Sequence, residues 1–322
     1  MSGIILKNVS ISPSWLSYVG CMDGLLRSAG LWKDELWKLS GLSGMAFLFV
    51  VHEACCPSSV TMYDWKNEHF MALDRLGIYT EADELWYKPD LHTFSNMQKQ
   101  ASCRIQQSIE QGKAVLTWSP TACLEFGLIK GFNDEERVYF VEAVNEEHPD
   151  PLSYENLGKG EVPVLYVQYI QEKVPMPIEK MVSSSLKYAL TLWNKEAHLH
   201  PHYHCGRKAY EALLHALDHP KLSTFGLSYL LAVYQESKQT IFQILNWISM
   251  TLNEFKEMEE ASLLYQQVAK HFKNMHEVFP FQPITKDIIY NEAVQKLLKN
   301  EIKQARDKEQ QAMNIIEKLV SL

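Results

Sequence analysis

The segment Val174-Pro175-Met176-Pro177 divides the chain into two stretches that follow different secondary-structure rules. Proline lacks the N–H that a sheet ladder needs and clashes inside a helix, so two prolines in four residues end whatever precedes them. After this break the apolar residues recur at helical spacing. Ile178, Val182, Leu186, Ala189 and Trp193 form one stripe; Met258, Ala261, Tyr265, Val268, Phe272 and Met275 a second; Val294, Leu298, Ile302, Ala305, Ala312, Ile316 and Leu319 a third. A strand would alternate instead. Residues 206–217 and 222–252 are helical by composition, which gives about five helices, a number suited to an antiparallel bundle.

Before the break, short runs of both periods mix. Trp15, Val19, Met22 and Leu26 place a helix over 15–29. The apolar run 45–51 reads as a buried strand and 60–65 as a more exposed one. A helix over 67–76 ends at Gly77, and a longer one over 95–111 ends at Gly112. Residues 114–118 form a strand, and 125–132 and 137–141 flank the polar turn Asn133-Asp134-Glu135-Glu136 as an antiparallel hairpin. A last strand covers 162–169. The expected architecture is α+β over residues 1–176, an N-terminal helix packed on an antiparallel sheet, followed by an all-α helical bundle over 177–322. A chain of 322 residues is long enough for both cores.

Composition narrows the function classes. The formal net charge is −8, and no stripe of Lys and Arg offers the surface that a phosphate backbone requires, so nucleic acid is not an expected partner. The longest apolar run, 45–51, is about a third of a bilayer span, and Ile4-Ile5-Leu6 is too brief for a signal-peptide core. No membrane partner and a cytoplasmic location are expected. Six cysteines without a C-x-x-C pair read as free thiols in a reducing compartment. No phosphate-binding glycine loop or HExxH pattern is present, and no cofactor is expected.

Three segments carry candidate chemistry. Gly20-Cys21-Met22-Asp23-Gly24 places a cysteine at or near a helix start, where the positive end of the dipole favours thiolate. The bland alternative is a small buried hydrophobe. His198-Leu199-His200-Pro201-His202-Tyr203-His204-Cys205 holds five metal-ligating side chains, but structural zinc sites draw ligands from separated segments, so a polar loop between helices is the expected reading. Cys55-Cys56-Pro57 reads as a buried turn, because vicinal disulfides are strained.

The stretch Gly112-Lys113-Ala114-Val115-Leu116-Thr117-Trp118, with Glu125-Phe126-Gly127-Leu128-Ile129-Lys130-Gly131-Phe132-Asn133-Asp134 and Val138-Tyr139-Phe140-Val141-Glu142 after it, resembles the papain-like cysteine-peptidase superfamily. More closely, it resembles the N-terminal domain family of butirosin biosynthesis protein H. Gly41-Leu42-Ser43-Gly44 looks like that family's glycine-rich stretch, and the helical second half looks like its C-terminal extension. The resemblance implies a papain-like domain with Cys21 as nucleophile. It also implies transfer of an acyl group from a carrier-protein thioester, or related amide processing, in bacterial secondary metabolism. Such chemistry needs a thiolate, a histidine as general base and acid, and a carboxylate that orients the histidine.

This chain departs from that pattern. The histidine position holds Glu125, while the orienting acid falls at Glu142. A carboxylate facing a thiol raises its pKa, opposite to the effect of imidazolium. The backbone N–H of Cys21 remains as one oxyanion donor. Three readings stand: His52 or His92 reaches Cys21; Glu125 itself acts as acid or base; or the pocket only binds. His52, beside Glu53, is the preferred substitute base. Trp118, Glu53 and Ser43 are the expected substrate-binding residues. The function is therefore either a Cys21-dependent acyltransferase or a non-catalytic binding or accessory protein that holds a small molecule or peptide. The expected partner is a small-molecule or acyl-carrier-protein substrate, with oligomerisation through the helical domain open.

Overall fold

A computed structural model describes residues 3–88, 90–195, 200–281, 289 and 291–320. Its first elements in chain order are β1 (Ile4–Ile5), α1 (Ser17–Ser28), α2 (Leu36–Leu42), β2 (Val50–His52), α3 (Trp65–Asp74), β3 (Ile78–Trp86) and α4 (Phe94–Glu110). Strands β4 (Val115–Trp118), β5 (Phe126–Asn133), β6 (Val138–Glu142), β7 (Leu152–Ser153) and β8 (Val164–Lys173) follow. The remainder is α5 (Ile178–Trp193), β9 (Tyr203–Cys205), α6 (Arg207–Ala216), α7 (Thr224–Thr251), α8 (Met258–Val278) and α9 (Glu292–Val320). The chain is thus mixed α+β, with an antiparallel sheet and a helical C-terminal region. It divides into two compact units, Met1–Leu36 with Gly77–Pro175, and Trp37–Leu76 with Met176–Leu322.

In the first unit the strands pair antiparallel in the order β3-β8-β4-β5-β6-β7, with β1 added on β5. The central strand β4 is buried at all four positions, which is why it reads as a continuous apolar run. One face of the sheet packs on α4: Phe94, Ala101, Ile105 and Ile109 meet Val115, Ile129, Val167 and Tyr169. The residues of opposite parity meet α1, whose Tyr18 lies edge-to-face on Phe126 with ring centroids 5.6 Å apart. Gly131 is required where β1 joins: a Cβ there would sit 2.4 Å from the Ile4 carbonyl, and the β5–β6 register shifts at this point.

The strand β3 was not anticipated from the sequence. Its three acidic residues, Glu81, Asp83 and Glu84, hide the pattern, yet they suit an edge strand, where charge opposes unwanted pairing. Two of them are held locally: Arg104 of α4 bridges Glu81 and Asp83, and Tyr169 donates to Asp83 at 2.8 Å.

In the second unit α7, α8 and α9 pack together. Tyr265 and His271 of α8 bond Glu309 and Glu301 of α9 at 3.0 and 2.8 Å, so the two helices run antiparallel. Residues 37–76, grouped with the sheet by the sequence reading, belong here instead. Ser185 of α5 donates to the Gly41 carbonyl at 2.6 Å, Tyr188 donates to Glu68 at 2.6 Å, and Gly41 abuts Ile244 of α7.

Two expected strands in that segment are also corrected. Over 45–51, a 3₁₀ turn at Met45–Phe47 precedes β2, because Gly44 enters the turn with φ +84°. Over 60–65, a 3₁₀ turn at Pro57–Thr61 leads into α3, whose N-cap Asp64 accepts from the Asn67 N–H at 3.1 Å. Both segments are apolar and short, and periodicity alone does not separate strand from helix at that length.

Gly44 combines a left-handed φ with a close neighbour, since a Cβ would lie 2.6 Å from the Tyr188 ring. Gly44→Ala is expected to cost about 2–4 kcal/mol in urea unfolding, the αL and overpacking penalties together. A loss below about 1 kcal/mol would show that the turn adapts.

Candidate functional site

Cys21 lies within α1 rather than at its start. The N-cap is Leu16, so Cys21 is the fifth helical residue, beyond the four open N–H groups of a helix N-terminus. Its amide is committed to the helical ladder and is no oxyanion donor, which corrects that expectation. The dipole's influence has also faded by this position.

The glycines on either side have a packing role. The backbone of residues 10–12 lies against α1, and Ser12 N–H donates to the Gly20 carbonyl at 3.2 Å. A Cβ on Gly20 would fall 2.4 Å from the Ser12 carbonyl, and one on Gly24 would fall 1.9 Å from that of Ser10. Between them Asp23, buried, accepts from Ser12 Oγ and from Arg27 Nε at 2.7 Å. With this strap on one side and β5 on the other, Cys21 is left 0% exposed.

Burial pushes the Cys21 thiol well above its ordinary pKa, and the charge of Glu125 raises it further. Glu125 is half-buried just ahead of β5, where its carbonyl accepts from Ser119 N–H at 2.8 Å. The half-buried Cys123 is raised too, first by burial and then by Glu125 and Glu146. Trp118 is buried with its ring edge-on to Phe126, 4.9 Å between centroids. Phe126 N–H in turn donates to Ser17 Oγ at 3.3 Å, tying β5 to α1. Glu142 forms an ion pair with Lys130 across the β5–β6 hairpin. His92 is exposed, and no histidine is among the groups that shift Cys21.

The other expected site residues belong to the second unit. His52 Nδ1 accepts from Ala54 N–H at 3.0 Å, which leaves the proton of the neutral ring on Nε2. A general base needs a ring nitrogen whose lone pair is free, and here the one lone pair is occupied by the Ala54 amide. Burial also lowers the His52 pKa. Glu53 is bonded to His202 Nδ1 at 3.0 Å, and that bond holds its carboxylate below the usual range. Ser43 is fully buried; its hydroxyl donates to the Ser40 carbonyl, while its own carbonyl accepts from Arg75 at 2.7 Å. Ser43 is a turn residue supporting the glycine-rich stretch.

Of the histidine-rich segment, His198 and Leu199 lie outside the described residues. Tyr203–Cys205 is β9, paired with β2, and Cys205 is buried, its thiol pushed up to about 11. Among the described residues no three His, Cys, Asp or Glu side chains are placed to hold a metal ion. All six cysteines are free; Cys55 is buried with φ +54° and a pKa raised to about 12.

Sequence reasoning also missed a charged group in the helical core. Glu309 falls four residues after Ala305, inside the apolar stripe, and pairs with the buried Lys238 of α7. The gap in the stripe between Ala305 and Ala312 was the available signal.

A thiol whose pKa is raised by folding keeps its proton in the folded chain while the unfolded chain loses it. Stability therefore falls as pH rises above the unfolded thiol range near 8.5. Cys21→Ala is expected to make the decline in stability between about pH 9 and 10 shallower, measured by urea unfolding. An unchanged slope would show that Cys21 titrates normally. No protein-family model matches the chain, and no curated protein matches it.

Proposed function

We propose that the protein is a binding or accessory member of the papain-like group, in which the sheet unit keeps the shape of a thiol-enzyme scaffold and holds a small molecule or peptide near Glu125 and Trp118. The observation that carries this reading is the state of Cys21. Its thiol is fully buried one turn inside α1 and is held protonated by burial and by a carboxylate where the family has a histidine. Nucleophilic cysteines have the opposite setting, partly exposed and beside a positive group.

The papain-like assignment itself is supported by the placement of a cysteine-bearing helix against the central strands of an antiparallel sheet, through Tyr18, Ser17 and Phe126. Fold alone does not carry activity. Acyl transfer through Cys21 would make the reverse demand, an α1 that opens and an imidazole that arrives.

Alkylation with iodoacetamide at about pH 7, followed by mass spectrometry, separates the two. The exposed Cys103 is expected to react first and the buried Cys21 last. Faster labelling of Cys21 than of Cys103 would establish a nucleophile and end the binding proposal. In a thermal-shift screen of amines, amino acids and short peptides, stabilisation is expected to survive Cys21→Ala and to be lost in Glu125→Lys.

A further inference from the structure

In strand β8 the run Val164-Leu165-Tyr166-Val167-Gln168-Tyr169-Ile170 is buried along its length, and Gln168 places a carboxamide, 1% exposed, within it. Its Oε1 has no hydrogen-bond partner. Thr80 and Thr117, buried on the neighbouring strands β3 and β4, are satisfied: they donate to the Tyr169 and Tyr166 carbonyls at 2.7 and 2.9 Å. Asp23 also has one oxygen without a partner, but its other oxygen accepts from Ser12 and Arg27. A buried acceptor with no donor costs the folded chain its lost hydration, so such groups are rare in native structures and call for a partner from outside the chain.

The strand register puts that amide beside the candidate site. Gln168 pairs with Leu116 of β4, and Leu116 pairs with Leu128 of β5. Directly paired residues share a sheet face, and Leu128 lies 3.4 Å from where a Gly24 Cβ would stand, so this is the face that carries α1. Trp118 is two residues along β4 on the same face, which makes Gln168 its diagonal neighbour, roughly 7–8 Å away. Phe126 completes an aromatic floor, its ring 4.9 Å from that of Trp118 and 5.9 Å from that of Tyr166. Since β4 lies between β8 and β5, the carboxamide of Gln168 is on one side of Trp118. Glu125, which precedes β5 and whose charge reaches Cys21, is on the other.

We propose that Gln168 selects the ligand of this site: its Oε1 accepts from an N–H group of the bound molecule, while Glu125 meets that molecule's positive end. This role rests on the binding reading given above and narrows the ligand to a cation with hydrogen-bond donors at both ends. The acceptor is dehydrated before the ligand arrives, so a donor there is matched at little further cost. A molecule without that donor leaves Oε1 stranded, which is how a buried polar group rejects an analogue that cannot bond it.

Thermal unfolding of the full chain with two probes tests the role: agmatine, an ammonium and a guanidinium joined by a short alkyl chain, and butylamine, which has the ammonium alone. Agmatine is expected to bind the native chain roughly tenfold or more tightly than butylamine, the worth of a hydrogen bond to a charged donor. In Gln168→Met, of similar volume, that preference should vanish, whereas Gln168→Glu, which keeps an acceptor oxygen, should retain it. Without ligand, Gln168→Met is expected to unfold roughly 2–6 °C higher than the native chain, because it removes a stranded acceptor. An unchanged or lower midpoint would mark Gln168 as a satisfied structural residue and overturn the proposal. So would a preference for agmatine that persists in Gln168→Met, or native binding of amines with no such preference. If neither probe nor any compound of the amine, amino-acid and peptide screen stabilises the native chain, the binding reading itself falls and takes this role with it.

Discussion

The clamp on α1 governs the sheet unit. On one side Ser17 and Tyr18 engage Phe126 of β5; on the other, the backbone of residues 10–12 reaches van der Waals distance only because Gly20 and Gly24 have no side chains. A helix held this closely on both sides has no room for solvent at its second turn. The protonated state of Cys21 follows from that geometry, since burial is the larger cause of its raised pKa and the Glu125 charge the smaller. At this position the cysteine fills a core.

Charge is buried in both units, joining neighbouring segments in the first and elements distant in sequence in the second. Asp23 ties the strap at Ser12 to Arg27 on the helix. Glu309 ties α9 to three earlier helices. Such groups add little net stability compared with apolar packing, but each fixes one arrangement against alternatives that would leave a charge without a partner. The inward-facing surfaces of α1 and α9 are otherwise apolar or small, so neither helix can slide by a turn without exposing that mismatch.

Much of the fold was legible where a local rule and the tertiary outcome agreed. The helix α4 and the β5–β6 hairpin were readable from period and from polar turns, and Gly77 and Gly112, at φ +72° and +79°, marked the ends of α3 and α4. The long stripes of α5, α8 and α9 were equally plain. Legibility failed where distant partners decided. Residues 45–51 are apolar throughout because α6 and α7 cover them, with Tyr234 bonding both polar groups of Val50, and no local signal says whether such a run is strand or turn. The acids of β3 made sense only once Arg104 and Tyr169 were beside them. In the candidate site, Cys21 and Glu125 were found through motif spacing and do interact electrostatically. His52 was proposed as a substitute base at the end of the 45–51 run, with Glu53 beside it, and Ser43 as part of a glycine-rich stretch that packs α2 against α5 and α7.

The central claim is that Cys21 is shape rather than chemistry, and its ionisation state measures this most directly. A titration of the Cys21 ¹³Cβ chemical shift by NMR in the otherwise native chain reads that state without a reagent. The thiol signal is expected to persist beyond the ordinary cysteine range near pH 8.5, and the Glu125→Gln variant to titrate at lower pH than the native chain. A thiolate already formed at about pH 7 would contradict the account and restore Cys21 as a nucleophile.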